Sequence, residues 1–182
     1  MINLIKGEFY KLFKGKAFWG VLGFMCFYAV LEPILFKKIM LQQGLNEAYN
    51  NISSMLAVLQ EEGIYTVIGI LAAIFVVGEF TSGSMKQIAS RGFSRTQLFL
   101  SKYITLFLGN ILIVVVTLII RFIIGALIFG VGADVFNYDY LRLFYIFISE
   151  CVVIAGFTSI YCFIAYGLCS MAGAVTANAL FV

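Results

Sequence analysis

Between Ile104 and Ile123, fifteen of twenty residues are Leu, Ile, Val or Phe. About twenty such residues cross the roughly 30 Å of hydrocarbon in a bilayer. On the insertion scale these side chains contribute about −4 to −9 kcal/mol, against roughly +3 kcal/mol for the embedded Arg121. The run therefore inserts despite its charge, with Arg121 expected toward the outer side, snorkelling or facing the bundle interior. The rest of the chain agrees. It is 63% hydrophobic and 12% charged, where soluble domains carry roughly 25% charged residues. The sequence predicts an all-α integral membrane protein, and its 182 residues suit a single transmembrane domain.

Apolar periodicity divides that domain. Residues 1–16 read as an interfacial helix, with Ile2, Ile5, Phe9, Leu12 and Phe13 on one side and Asn3, Glu8, Lys11 and Lys14 on the other. Its lysines would face anionic lipid. Charge is interleaved with apolar residues and no small-residue cleavage site follows, so the segment is not a signal peptide. Spans are expected over about 17–36, 64–80, 103–133 and 143–168. Pro33 kinks or ends the first, because it removes a backbone donor. Residues 37–63 are polar enough to leave the bilayer, and Ile52, Met55, Leu56 and Leu59 keep helical spacing for a short surface helix. The third span exceeds one perpendicular crossing and must tilt, protrude or end in an interfacial piece. Residues 171–182 start a fifth apolar segment too short to cross. Either it packs as a half-span or the chain is a piece of a longer protein, and truncation is the favoured expectation.

Lysine and arginine distribution sets the orientation. Lys6, Lys11, Lys14 and Lys16 precede the first span, and Lys86, Arg91, Arg95 and Lys102 lie between the second and third; the opposite loops hold Lys37, Lys38 and Arg142. The positive-inside rule places the N-terminus in the cytoplasm. The basic loop is longer than a bare connection needs. Ser84-Met85-Lys86-Gln87 and Ser94-Arg95-Thr96-Gln97 both read S-x-x-Q, a capping box at a helix start. Gly92 falls between them as a natural stop. This predicts a short helix over about 85–90, a turn at Gly92, and a second helix running into the third span. Met85, Ile88 and Phe93 would give it an apolar contact surface, and Lys86, Arg91 and Arg95 charge. Two readings stay open on these residues alone: a docking element for a cytoplasmic partner, or ordinary positive-inside cations.

The stretch Glu79 to Lys102 resembles the signature of ABC-2-type permeases, the membrane subunits of a class of ATP-binding-cassette exporters. Glu79 matches an acidic position ending the second span. Gly92, Ser94, Arg95 and Lys102 match a block resembling G-x-S-R-x-x-x-x-x-S-K. The N-terminal Lys6-Gly7-Glu8-Phe9-Tyr10-Lys11-Leu12 is similar to the family's opening interfacial helix, and the order of spans agrees over the whole chain. The family normally has six spans, so the remainder of the fifth and the sixth are lacking. The resemblance implies that Ser84, Met85, Lys86, Gln87, Ile88 and Arg91 lie on a coupling helix at the interface with an ABC-type ATPase subunit. It further implies a second permease copy or homologue and a bacterial cell membrane. Arg91 and Arg95 would pair with acids of that partner or with lipid phosphates, and Glu79 would meet the partner element or merely snorkel to the interface.

Several chemistries are excluded. There is no G-x-x-x-x-G-K-[ST], so ATP phosphates are not cradled here and an ATPase must be another polypeptide. No His is present to serve as general base or metal ligand, and no H-E-x-x-H or G-x-S-x-G appears. No catalytic residue, cofactor, metal or nucleic-acid partner is expected. Cys26, Cys151, Cys162 and Cys169 lie in apolar spans without ligand-like clustering and read as packing residues. Asn51-Ile52-Ser53 fits a glycosylation sequon of low specificity. The intramembrane polar residues Glu32, Asn110, Arg121 and Glu150 are candidates for pathways or pairs; an ion pair between Arg121 and Glu150 is one reading, and Glu32 and Glu150 as boundary residues reaching water is the favoured one. The cargo expected of an exporter is amphiphilic, such as a peptide antibiotic or drug. The alternative is a non-transporting membrane immunity or interaction protein that binds a toxic peptide.

Overall fold

A computed structural model of the chain describes residues 2–43, 51–59, 61, 63–84, 90, 92–130 and 140–181. Seven helices make up nearly all of them, with no strand among the described residues: α1 (Ile2–Lys14), α2 (Lys16–Gln43), α3 (Asn51–Leu59), α4 (Gly63–Thr81), α5 (Arg95–Phe129), α6 (Tyr140–Leu168) and α7 (Met171–Leu180). Four of these, α2, α4, α5 and α6, are long and apolar enough to cross a membrane. The protein is an all-α membrane protein.

One compact unit comprises Met1–Val21, Glu62–Ile111 and Cys151–Val182. Its centre is α4, where Ile64, Ile68, Leu71, Ala72, Ala73, Val76 and Val77 are all buried. The unbroken apolar sequence of α4 follows from this, since a helix covered on most sides shows no amphipathic stripe. It packs closely on α7 through Gly69. A Cβ there would lie 3.1 Å from the Asn178 Cβ and 3.3 Å from the Tyr161 ring, and the approach lets Asn178 Nδ2 donate to the Gly69 carbonyl at 2.9 Å. The twelve-residue tail thus starts with a short helix docked on α4. Elsewhere Asn110 Nδ2 donates to Thr158 Oγ1 at 3.1 Å and Tyr103 to the Ala155 carbonyl at 3.3 Å, giving the polar groups of α5 partners on α6.

Helix α1 joins this unit by its apolar edge. Leu12 is fully buried, its tip only 2.7 Å from where a Cβ at Gly109 would stand. Gly15 then turns the chain into α2. Its N–H reaches the Lys11 and Leu12 carbonyls, and a Cβ there would press on both at 3.1 and 3.2 Å. Trp19 Nε1 donates to the Phe13 carbonyl at 2.7 Å, pinning the elbow with an interfacial aromatic.

The second unit comprises Leu22–Glu61 and Leu112–Glu150. Helix α2 runs on through Pro33 and past the expected end at Phe36 to Gln43. A proline removes one backbone donor, and that loss is tolerated within a spanning helix. Lys37 Nζ donates to the Ile128 carbonyl at 2.7 Å, tying α2 to α5. The surface helix expected near residues 52–59 is present as α3. Helix α5 begins at Arg95, continuous with the loop's second helix, and ends at Phe129. Gly130 (φ +84°) takes up the left-handed position that closes it. The expected end at Ala133 lies outside the described residues. Phe24, Phe27, Leu35, Ile119, Ile123, Phe144 and Tyr145 are exposed, which suits faces solvated by acyl chains.

Candidate functional site

Four charged side chains close the base of the 81–102 loop. Glu79 sits two residues before the end of α4, Lys102 two turns inside α5, and Glu8 and Lys11 one turn apart on α1. They alternate in sign around a square. Lys102 Nζ lies 2.8 Å from Glu8 Oε2 and 2.5 Å from Glu79 Oε2. Lys11 Nζ lies 3.0 Å from Glu8 Oε1 and 2.9 Å from Glu79 Oε1.

Burial makes this arrangement obligatory. The side chains of Lys102 and Glu8 are 1% and 2% exposed, and an isolated ion at such depth is strongly disfavoured. Two opposite charges on each ion compensate, and the Phe75 ring beneath the Lys102 ammonium, 4.8 Å away, adds a cation–π contact. Lys11 is 40% exposed at the rim. Its partial burial works to lower its pKa, but the hydrogen bonds it donates to Glu79 and Glu8 and their charges outweigh that and raise it above the ordinary lysine value.

From this base the loop leaves α4 in an ordered way. Ser82 and Ser84 hydroxyls donate to the Glu79 carbonyl at 3.3 and 3.5 Å, and Gly83 adopts φ +72°. Met85, Lys86, Gln87, Ile88 and Arg91 lie outside the described residues. On the return side Gly92 has φ +85°, a conformation that suits the expected helix stop. Ser94 and Gln97 then cap α5 reciprocally: the Ser94 N–H donates to Gln97 Oε1 at 3.2 Å, and the Gln97 N–H to Ser94 Oγ at 3.3 Å. Arg95 is exposed at the first turn of α5.

Glu79 and Lys102, singled out separately in the sequence, therefore come together. Glu8 and Lys11 were assigned to the lipid-facing polar side of α1, and this is corrected: both belong to the quartet, and Glu8 is buried. Glu8 is the lone acid of α1 amid four nearby lysines, which was the available signal.

In the second unit Arg121, 1% exposed, gathers three groups. Nε donates to the Ser54 carbonyl at 3.1 Å, Nη2 reaches Glu61 Oε1 at 3.0 Å, and the guanidinium also pairs with Glu32. One reading of the sequence pairs Arg121 with Glu150. The structure supplies Glu32 of α2 and Glu61, two residues after α3, as the carboxylates that Arg121 meets. Glu150 is buried on α6. Two effects oppose each other at Glu61: burial disfavours its carboxylate, and Arg121 favours it. Burial prevails and pushes the carboxyl up to about 7.

Among the described residues no cluster of three His, Cys, Asp or Glu could hold a metal, and the cysteines are free thiols. What the quartet can do is mechanical. It holds α1, the end of α4 and the start of α5 as one piece around the loop.

The profile of a family described as "ABC-2 family transporter protein" matches residues 4–181. The "Uncharacterized protein YhcI" of Bacillus subtilis (strain 168) is 36% identical over 72 residues, covering 40% of this chain and 22% of that protein. No solved structure matches the chain.

Proposed function

Because this chain belongs to the ABC-2 family of transporter proteins, it is a multi-pass membrane permease of an ABC transporter, and we propose that it serves export powered by a separate ABC-type ATPase docked under the 81–102 loop. The supporting observation is the ion quartet. It joins both ends of that loop to α1, so a push delivered to the loop moves three helices together instead of bending one. In this reading the N-terminus is cytoplasmic and the membrane is that of a bacterial cell. Ser84, Met85, Lys86, Gln87, Ile88 and Arg91 meet the ATPase, with Arg95 beside them. A second permease copy or a homologue completes the pathway, and the cargo is an amphiphile such as a peptide antibiotic or drug.

Affinity purification of the full-length protein from its own cells tests this. The wild type should retain an ATPase carrying Walker motifs, and replacing Lys86, Arg91 and Arg95 together with Glu should release it. Retention by the triple variant removes the docking role. Absence of any ATPase from the wild type would favour the non-transporting immunity reading. A cysteine at Ser94 should react with an impermeant reagent only after the cells are opened.

A further inference from the structure

A cavity of about 450 Å³ opens beside the quartet, between the α1–α2 elbow and α4. Its lining is of two kinds. Lys16 and the quartet's rim supply its polar lining; Phe18, Leu71, Ile74 and Phe75 supply its apolar lining. From Ser82 to Leu71 the lining follows α4 for eleven residues, about 16 Å at 1.5 Å per residue. That axis lies along α4, one of the four helices long and apolar enough to cross a membrane.

Charge in the polar lining is unbalanced. Lys11, Glu79, Glu8 and Lys102 neutralise one another. Lys16 is exposed and has no carboxylate within ion-pair distance among the described residues, so the cavity mouth carries one uncompensated cation. A small hydrophilic anion would leave the half-buried Ile74 and Phe75 side chains wetted. A purely apolar molecule would leave the exposed Lys16 ammonium without a counter-charge. Only an amphiphile with an anionic head answers both.

We propose that this cavity binds one anionic phospholipid of the leaflet on the loop side, its phosphate at Lys16 and an acyl chain along Ile74 and Phe75. The site stands independently of ATPase docking. Lipid seated there wedges the elbow against α4 next to the quartet, so membrane composition would bear on the part that holds the loop.

Gly78 gives a steric test, because a Cβ at this wall position meets nothing within 4 Å. Gly78→Leu therefore fills the cavity instead of clashing. Native mass spectrometry of the detergent-purified full-length protein, titrated with phosphatidylglycerol or phosphatidylcholine, reads the binding. The first should be retained about fivefold more tightly, the increment for one lysine at an anionic surface. Lys16→Gln should erase that preference and Lys16→Arg keep it. Lys14→Gln, on an exposed α1 lysine outside the cavity, should leave it unchanged. Gly78→Leu should remove one bound lipid of either kind. Equal retention of both lipids overturns the proposal, as does a preference that survives Lys16→Gln or displacement of the lipid by inorganic phosphate. If Gly78→Leu fails to fold, the Lys16 series decides alone.

Discussion

Lys102 and Lys11 contact the same two carboxylates, yet they should differ sharply in weight. Lys102 is almost wholly buried and Lys11 is 40% exposed. Lys102→Met strands Glu8 and Glu79 at depth with a single cation between them, and breaking a buried pair in this way costs about 3–5 kcal/mol. Lys11→Met removes a rim ion that water screens, with an expected loss of about 1 kcal/mol or less. Thermal unfolding in detergent should rank the two variants in that order, and equal losses would contradict the burial argument. A different residue governs the response to pH. The Glu61 carboxyl is pushed up to about 7 by burial, above its unfolded value of about 4.3. The folded state therefore favours the protonated acid. Its contribution to stability is complete below the unfolded value and is lost as pH rises through about 7. Unfolding temperatures taken from pH 5 to pH 8 should fall more steeply in the wild type than in Glu61→Gln, which cannot titrate. Parallel curves would show that Arg121 holds Glu61 ionised throughout.

At the scale of elements, what the sequence made legible was local. The reciprocal Ser94–Gln97 cap was visible because both partners lie within four residues, and α5 begins where that box places it. Ser94→Ala should weaken the first turn of α5 by about 1 kcal/mol, read as faster amide exchange confined to residues 95–98. A global change in exchange would mean that the cap does more than start the helix. The helix α1 and the four apolar helices were legible for the same reason, since periodicity and run length are properties of single segments. The quartet was not, because Lys102 and Glu8 are 94 residues apart and Lys11 and Glu79 are 68 apart. An amphipathic wheel sorts residues into two faces without saying that a neighbouring helix covers part of the polar one. The partners of Arg121 were hidden for a related reason. Glu61 is 60 residues from Arg121, and a segment read only as an external loop does not say which of its residues returns to α5. Glu32, next to Pro33, reads in the sequence as a boundary residue reaching water as readily as an ion-pair partner.

For the molecule as a whole, the question is whether the quartet conveys motion or only stabilises, and its alternating geometry allows the two to be separated. Four contacts join unlike charges: Glu8–Lys11, Lys11–Glu79, Glu79–Lys102 and Lys102–Glu8. Glu8→Lys turns two of them into repulsions. Adding Lys102→Glu does not help, because it restores the contact between positions 8 and 102 while creating a new repulsion between positions 79 and 102. A conventional paired reversal therefore fails here. Inverting all four positions (Glu8→Lys, Lys11→Glu, Glu79→Lys, Lys102→Glu) makes every contact favourable again at unchanged net charge, less the Lys102–Phe75 cation–π contact of about 1 kcal/mol. The single and double variants should unfold at clearly lower temperature, and the fourfold inversion should recover most of that loss. The loop cations Lys86, Arg91 and Arg95 are intact throughout, so any variant that folds should still retain the proposed ATPase. Its ATP turnover in the complex is the deciding measurement. If the quartet carries force, turnover responds to the permease in the wild type and the fourfold inversion, and loses that response in a folded Lys11→Met variant with a loosened rim. A Lys11→Met complex that keeps the full response would leave the quartet a structural clamp and place transmission elsewhere in the loop.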